Sequence, residues 1–330
     1  MRALITGVGG FVGRHLLRHL QEEGDEVCGL GRAADVLDVH AKPTTKVIQT
    51  DLGDRRSVEH AVRELQPDAV YHLAAQSSPA ESLADPWATI GNNLLGQINL
   101  FEALLSAGLR PRVLVVGSSD EYGQVGPDEV PTHENVPLRP MTPYAVSKVG
   151  QDLMGFSYFA QQGMPVVRVR PFNHTGPGHD ARFVIPSFAR QLAEIEAGLR
   201  EPVLRVGNLD VARDFTDARD MVRAYRLALV SGEPGEVYNL GSGHSLRIAD
   251  MLDELIALCT VDVETRVDPA LLRRTDIPRQ EADTRKFTSL TGWQPRIAWH
   301  TTLADTLEYW REQIRSYQPS AISSRRGDTH

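Results

Sequence analysis

Tyr144 and Lys148 stand four residues apart in "YAVSK", one helical turn, so their side chains share a helix face. A lysine ammonium near a phenol stabilises the phenolate, lowers its pKa and lets it exchange a proton with a carbonyl or alcohol oxygen near neutral pH. Reversible hydride transfer needs that exchange. Upstream, "GSSDEYGQV" crowds two hydroxyls, two carboxylates and a phenol into positions 118–122, directly after the apolar run "VLVV". An acid beside a serine raises a second chemistry, elimination, in which a carboxyl moves a proton. Nearer the N-terminus, "TGVGGFVG" sets Gly7, Gly10 and Gly13 in a GxxGxxG pattern. Between a strand and a helix, such a turn lets backbone N–H groups and the helix N-terminus face a pyrophosphate. Phe11 and Val12 of the same turn are counted among the cofactor-binding residues.

These groups need a scaffold, and the first 150 residues supply its pattern. Short β-rich runs ("RALITG", "EVCGL", "VIQTDL", "DAVYHLAA", "RVLVVGSS") alternate with helical ones ("GRHLLRHLQEEG", "SVEHAVREL", 93–107 and 144–162). Alternation of this kind implies right-handed βαβ units and a parallel sheet covered on both faces. The expected class is α/β, a Rossmann-type doubly wound parallel sheet with a smaller C-terminal substrate-binding lobe. "VVRVRPF" reads as a further strand, and the segment 236–241 as one that rejoins the sheet. Residues 1–175 are expected to bind the dinucleotide. Residues 176–317, with more proline and arginine and shorter periodic segments, form mainly the substrate lobe, and 318–330 a polar tail.

The formal charge of −8 offers no overall electrostatic support for a nucleic-acid partner and directs the search to a phosphorylated small molecule. Cys28 and Cys259 have no CxxC spacing, so no structural metal is implied and a reducing cytoplasm fits. No apolar window approaches the length of a membrane span, and the first apolar run is broken by three glycines and then by Arg14 and His15.

At the end of the second strand an NAD enzyme usually presents an acid to the ribose 2′-hydroxyl, whereas this chain offers Leu30, Gly31 and Arg32, with Asp35 arriving late. Arg32 suits a 2′-phosphate, so NADP(H) is favoured over NAD(H), the alternative. Asp51 and Leu52 close the third strand, where an acid meets the adenine amino group or else serves as a turn or cap residue.

TGxxGFxG, "HLAA", Asn93 in "NLLG", Ser118, YxxxK and "RPFNHTGPG" together resemble the extended short-chain dehydrogenase/reductase family of nucleotide-sugar enzymes, from Met1 to about Gln313. Within it, "RPFNHTGPG", "ARDFTDARD", "GEVYNLGSG" and "TGWQPRI" are similar to GDP-mannose 4,6-dehydratases and, more closely, to GDP-4-dehydro-6-deoxy-D-mannose reductases. The resemblance implies Tyr144 as proton donor, Lys148 on the nicotinamide ribose and Ser118 on the reacting sugar oxygen. It implies backbone contact to the cofactor at Ala74 and substrate contacts at Asn173 and Val184. Arg213 and Arg273 match arginines that clamp the nucleotide diphosphate, with Arg274 an equal candidate. Arg213 could instead pair with Asp214 or Asp217, and His174 reads as a packing histidine. A homodimer through the stretches 93–107 and 144–162 is also implied.

A 4,6-dehydratase must remove a proton from carbon 5 and expel water from carbon 6, and in that family a glutamate two residues before the tyrosine of "YG" takes part. Here that position is Asp120, one methylene shorter, which leaves a carboxylate about an ångström short of an in-line proton. Asp120 stays a catalytic candidate or a ligand of a substrate hydroxyl. Glu121, where the family usually has an apolar residue, is expected to be solvated or paired with an arginine. The balance implies a reductase acting on a GDP-linked 4-keto-6-deoxy sugar, with the dehydratase and a non-catalytic cofactor-binding sensor as rivals.

Overall fold

In the computed structural model, which describes residues 1–32, 45–272 and 276–316, the expected alternation becomes elements in the expected order. Through Thr175 they are β1 (Arg2–Thr6), α1 (Phe11–Glu22), β2 (Glu26–Gly31), β3 (Lys46–Gln49), α2 (Arg55–Leu65), β4 (Ala69–His72), α3 (Pro79–Ala84), α4 (Pro86–Ser106), β5 (Arg112–Val116), α5 (Pro143–Gln162), β6 (Val166–Pro171) and β7 (Asn173–Thr175). There follow α6 (Val184–Glu196), β8 (Val203–Val206), β9 (Ala212–Asp217), α7 (Ala218–Ser231), β10 (Val237–Leu240), β11 (Ser245–Arg247), α8 (Ile248–Ala257), β12 (Glu264–Val267), β13 (Arg279–Gln280), α9 (Arg285–Thr291) and α10 (Trp299–Ser316). The expected tail, 318–330, lies outside the described residues.

Two compact units emerge. The first joins Met1–His174, Arg213–Ser245 and Arg279–Arg296, and the second joins Thr175–Ala212, Leu246–Pro278 and the chain from Ile297.

The first unit holds a seven-stranded sheet in the order β10-β6-β5-β4-β1-β2-β3, with every pairing parallel. Successive side chains of a strand point to opposite faces, so each strand feeds two cores. Ala3 and Ile5 of β1 pack in a cluster with Leu16 and Leu20 of α1 and Met221 and Tyr225 of α7. Leu4 instead joins Val58 and Val62 of α2, and Leu100 and Leu104 of α4. Each such fully buried leucine or valine contributes about 1.5–3 kcal/mol, so covering both faces is what makes the doubly wound layer stable. Because all strands are parallel, their carboxyl ends share one edge, and the order reverses beside β1, between β2 and β4. Ligands of open α/β sheets bind at that switch point.

In the second unit β8 and β12 pair in parallel, Leu204 opposite Thr265. Arg311 of α10 donates to Glu196 at the end of α6 at 2.7 Å.

Candidate active site

The chain leaves β5 at Val116 and turns through Gly117 into a single turn of 3-10 helix, Ser119–Glu121. Ser118 caps that turn: its Oγ accepts from the Asp120 N–H at 3.1 Å, while Glu121 reaches back to accept from the Ser118 N–H at 2.8 Å. Tyr144 comes from the first turn of α5, which Pro143 starts and Thr142 caps through the Ala145 N–H at 3.1 Å. Lys148 follows one turn later on the same face.

Tyr144 and Lys148 are only 8% and 4% exposed, so both polar heads must be satisfied inside the protein. Lys148 Nζ donates to the Val116 carbonyl at 2.9 Å and lies 5.9 Å from the centre of the Tyr144 ring. The Ser118 hydroxyl lies close enough to the Tyr144 phenol to favour its ionised form. The structure thus brings Ser118, Tyr144 and Lys148 together at the carboxyl end of β5.

Burial lowers the Lys148 ammonium from its usual 10.5 to about 8, with the Glu121 charge working against that fall. The Tyr144 phenol moves up, chiefly by burial and then by the Asp120 charge, although the Ser118 hydroxyl opposes the rise. The expectation of a lowered phenol is therefore corrected: desolvation and the nearby carboxylates raise it, and Tyr144 holds its proton at neutral pH. Asp120 is half-buried, and Gln280 Nε2 of β13 approaches its Oδ1 at 3.5 Å.

At the switch point Gly7 has φ +72°, and a Cβ there would meet the Ala74 backbone at 3.0 Å. A Cβ on Gly13 would sit 2.2 Å from the Gly7 carbonyl, so neither position accepts a side chain. No side chain caps α1, whose N-cap is Gly10, in contrast to α2, α4, α5 and α7 with their Asp and Thr caps. Phe11 and Val12 open that uncapped helix, which presents its first N–H groups and positive end at the edge of the sheet. A close-packed glycine cradle under a bare helix end fits a dinucleotide pyrophosphate.

Ala74 donates its N–H to Thr6 Oγ1 at 3.2 Å, tying the ends of β1 and β4 together. Arg32 is exposed just past β2. Asp51 and Leu52 lie beyond β3 rather than in it, because the strand ends at Gln49. There Asp51 accepts from the Gly53 N–H at 2.9 Å in a local turn, and Leu52 is half-buried against Gly96 of α4.

Asn173 starts β7, and its Nδ2 is buried with no hydrogen-bond partner among the described residues. His174 donates from Nδ1 to the Phe172 carbonyl at 3.1 Å and stacks on Phe11 at 6.5 Å; burial lowers its pKa, so it packs as a neutral ring. Arg213 is half-buried in β9. The Asp214 carboxylate next to it accepts from Ser242, Gly243 and Ala282. Val184 opens α6 in the second unit. Arg273 and Arg274 lie outside the described residues, as does Asp35.

Two buried polar networks contain residues that the sequence did not single out. Gln151, three residues after Lys148, donates from Nε2 both to the Asn93 carbonyl at 3.0 Å and to His72 Nε2 at 3.2 Å. A donor on Nε2 leaves the His72 proton on Nδ1, which donates to Thr6 Oγ1 at 2.9 Å. Burial, helped by the Lys148 charge, drives His72 down to about 3, so it stays neutral. Asn93 in turn donates to Ser147 Oγ at 2.8 Å. The second group is Glu121 with Arg170 and Asp152. Of the two expectations for Glu121 the arginine pairing holds: it is fully buried and accepts from Arg170 Nε at 3.1 Å. The signal available in the sequence was a pair of arginines, Arg168 and Arg170, inside an otherwise apolar strand.

Residues 4–306 match the sequence profile of a family described as GDP-mannose 4,6 dehydratase. The chain belongs to that family, within the extended short-chain dehydrogenases/reductases. It is 37% identical to the GDP-6-deoxy-D-mannose reductase of Pseudomonas aeruginosa over 95% of this chain and 98% of the relative. Its fold is similar to that of RMD from Pseudomonas aeruginosa complexed with NADPH, with a TM-score of 0.83 and 35% identity over 94% and 99% of the two chains. A similar match is the Thermus thermophilus UDP-glucose 4-epimerase in complex with NAD, with a TM-score of 0.83 and 30% identity over 94% and 99%. The seven-stranded parallel sheet of this family member is the doubly wound Rossmann-type layer that the sequence implied.

Proposed function

We propose that the protein is an NAD(P)H-dependent oxidoreductase that reduces the 4-keto group of GDP-4-dehydro-6-deoxy-D-mannose, giving GDP-6-deoxy-D-mannose (GDP-D-rhamnose). The observation that carries this reading is the cluster of a protonated Tyr144, the neighbouring Ser118 and Lys148 beside the glycine cradle. The near-full-length similarity to the Pseudomonas aeruginosa reductase supports the substrate. NADP(H) is the favoured cofactor, supported by Arg32 past β2 and by the NADPH complex of the similar structure, with NAD(H) as the alternative.

The reduced nicotinamide, when bound, supplies a hydride. Gly7, Gly10, Gly13, Phe11, Val12 and Ala74 would hold its pyrophosphate and ribose side by backbone, and Lys148 the nicotinamide ribose. As the carbon-4 oxygen gains charge, the Tyr144 hydroxyl gives it a proton and the Ser118 hydroxyl hydrogen-bonds it. The lysine ammonium, present below about pH 8, steadies the phenolate left behind. Asn173, Val184, Arg213 and Arg273 are assigned to the nucleotide sugar, and the unpartnered Asn173 amide supports the first of these. Asp120 faces Tyr144 and is assigned to a substrate hydroxyl rather than to elimination. The first unit would serve the cofactor and also carries Asn173 and Arg213, while the second, with Val184, would serve mainly the sugar nucleotide. The free thiols Cys28 and Cys259 suit the cytoplasm. Exposed Leu95 of α4, with Val146, Leu153 and Phe156 of α5, supports a homodimer through these two helices.

The deciding assay incubates GDP-4-keto-6-deoxymannose with NADPH and NADH in parallel and identifies the product by NMR. GDP-6-deoxy-D-mannose formed faster with NADPH is the expected result. Accumulation of the 4-keto-6-deoxy sugar from GDP-mannose without added NADPH would overturn the reading in favour of a dehydratase.

A further inference from the structure

Beneath Ser118 and Lys148 lies a charged cluster that the chemistry above does not use. Glu121 is fully buried between β5, α5 and β6. One oxygen accepts from the Ser118 N–H at 2.8 Å, and the other from Arg170 Nε at 3.1 Å. Arg170 also donates to Asp152 Oδ2 and, through Nη1, to the Tyr122 hydroxyl at 3.0 Å and the Glu134 carbonyl at 3.2 Å. Tyr122 in turn donates a hydrogen bond to Asn239 Oδ1 of β10 at 2.7 Å. Asp152 takes a further hydrogen bond from Arg168 Nη1 at 2.8 Å and meets the Glu121 carboxyl directly. The carboxyl of Glu121 is therefore tied to the sheet at several points, and its position is set by β6 and β10 rather than by its own short turn.

Packing points the same way. A Cβ on Gly117 would fall 2.1 Å from Glu121 Oε1, so the bare residue between β5 and Ser118 leaves room for this carboxyl alone. A fully buried acid is costly unless it is paired and hydrogen-bonded.

We propose that Glu121 is a positioning residue of the active site, which fixes the Ser118 backbone and so sets its carboxyl near the Lys148 ammonium, itself held on the Val116 carbonyl two residues earlier. This deepens the reductase reading and rests on its assignment of Ser118 and Lys148. Around Lys148 the charged and titratable groups are Glu121 on the turn after β5, His72 on β4, which stays neutral, and Tyr144 on its own helix. Around Glu121 they are Asp152 and Lys148 on α5, Arg170 on β6, and Tyr144. Burial and the Asp152 charge push Glu121 upward, while Arg170 and the Ser118 N–H pull it down. Replacing Asp152 by a neutral group therefore strengthens the acid at Glu121, and replacing Glu121 by a neutral group removes it.

The chain has only four lysines, Lys42, Lys46, Lys148 and Lys286, so the Lys148 signal of protein labelled with ¹³Cε-lysine is assigned by its loss in Lys148→Met. The titration is followed in the full-length protein without substrate, so its outcome is independent of which sugar is reduced. Glu121→Gln, which preserves shape and the acceptor for Ser118, is expected to move the Lys148 titration down by about one pH unit, the low end for loss of a nearby opposite charge. Asp152→Asn is expected to move it up. A Lys148 titration unmoved in Glu121→Gln overturns the proposal. If Glu121→Gln does not fold, an unmoved or lowered Lys148 in Asp152→Asn does the same. Glu121→Asp, which keeps the charge but withdraws it from Ser118, is expected to leave the titration in place and lower kcat with little change in KM.

Discussion

Gly117→Ala tests how tightly Ser118, the serine assigned to the reacting oxygen, is held. Gly117 is not in the left-handed region, so alanine is compatible with its backbone and the whole effect is steric. The new methyl would lie 2.1 Å from Glu121 Oε1 and 3.1 Å from the Val169 carbonyl. Val169 cannot yield, because its carbonyl accepts from the Gly117 N–H at 2.8 Å within the sheet. The Glu121 carboxyl must then retreat by about 1 Å or more to restore ordinary van der Waals contact. That retreat breaks its 2.8 Å bond to the Ser118 N–H. A buried hydrogen bond to a charged group contributes about 1.5–3 kcal/mol, and overpacking costs about 1–3 kcal/mol, so a destabilisation of about 2–4 kcal/mol is expected. A displacement of about 1 Å at a reacting group lowers turnover about 100-fold. The assay is the rate of NADPH oxidation with the 4-keto sugar, alongside the urea midpoint. Gly126→Ala is the control, since a Cβ there meets nothing closer than 3.5 Å and its φ is −72°. If Gly117→Ala turned over within about threefold of the parent at an unchanged midpoint, a difference of under 1 kcal/mol in the barrier, the carboxyl would not be what places Ser118.

Tyr144→Phe should lower kcat about 10²- to 10⁴-fold while NADPH binding, read by fluorescence quenching, stays near the parent value; surviving turnover would remove Tyr144 as the proton donor. Arg32→Ala should raise the KM for NADPH about tenfold and leave that for NADH unchanged, as loss of one charge-assisted contact to a 2′-phosphate requires, and equal effects on both cofactors would refute that contact. His72 stays neutral down to about pH 3 in the folded chain, against 6.5 for its ordinary value, so between these limits the unfolded chain binds the extra proton and stability falls as pH falls. The contribution is complete above pH 6.5, and about 2 kcal/mol of it is gone by pH 5. His72→Gln should therefore lose less of its urea resistance between pH 7 and pH 5 than the parent does, and equal losses would show that His72 titrates normally.

What could be read from the sequence was what depends on neighbours along the chain. The βαβ alternation, the glycine turn and the Tyr144/Lys148 spacing each rest on a period or a gap of a few residues, and each led to the right element. The helix α7 was not singled out, because "ARDMVRAYRLALVS" interrupts its apolar face with arginines. Those arginines turn out to be paired: Arg219 with Asp217 at 2.7 Å, Arg223 with Asp220 at 2.8 Å and Arg226 with Asp25 at 3.1 Å. The last partner is about 200 residues away and has no local signature.

The same cause hid the cluster under the active site. Burial rules applied to "VVRVRPF" would send Arg168 and Arg170 to solvent, yet both are buried because Asp152 from α5 and Glu121 from the turn after β5 neutralise them. Each of these four residues, taken alone, is a charge misplaced in an apolar environment. Only the strand order, β6 beside β5 with α5 over both, turns them into one paired network, and it does so next to the serine and the lysine assigned to the chemistry. Catalytic side chains are recognisable by type and spacing because chemistry constrains them locally, whereas the groups that hold them still are constrained only by the fold.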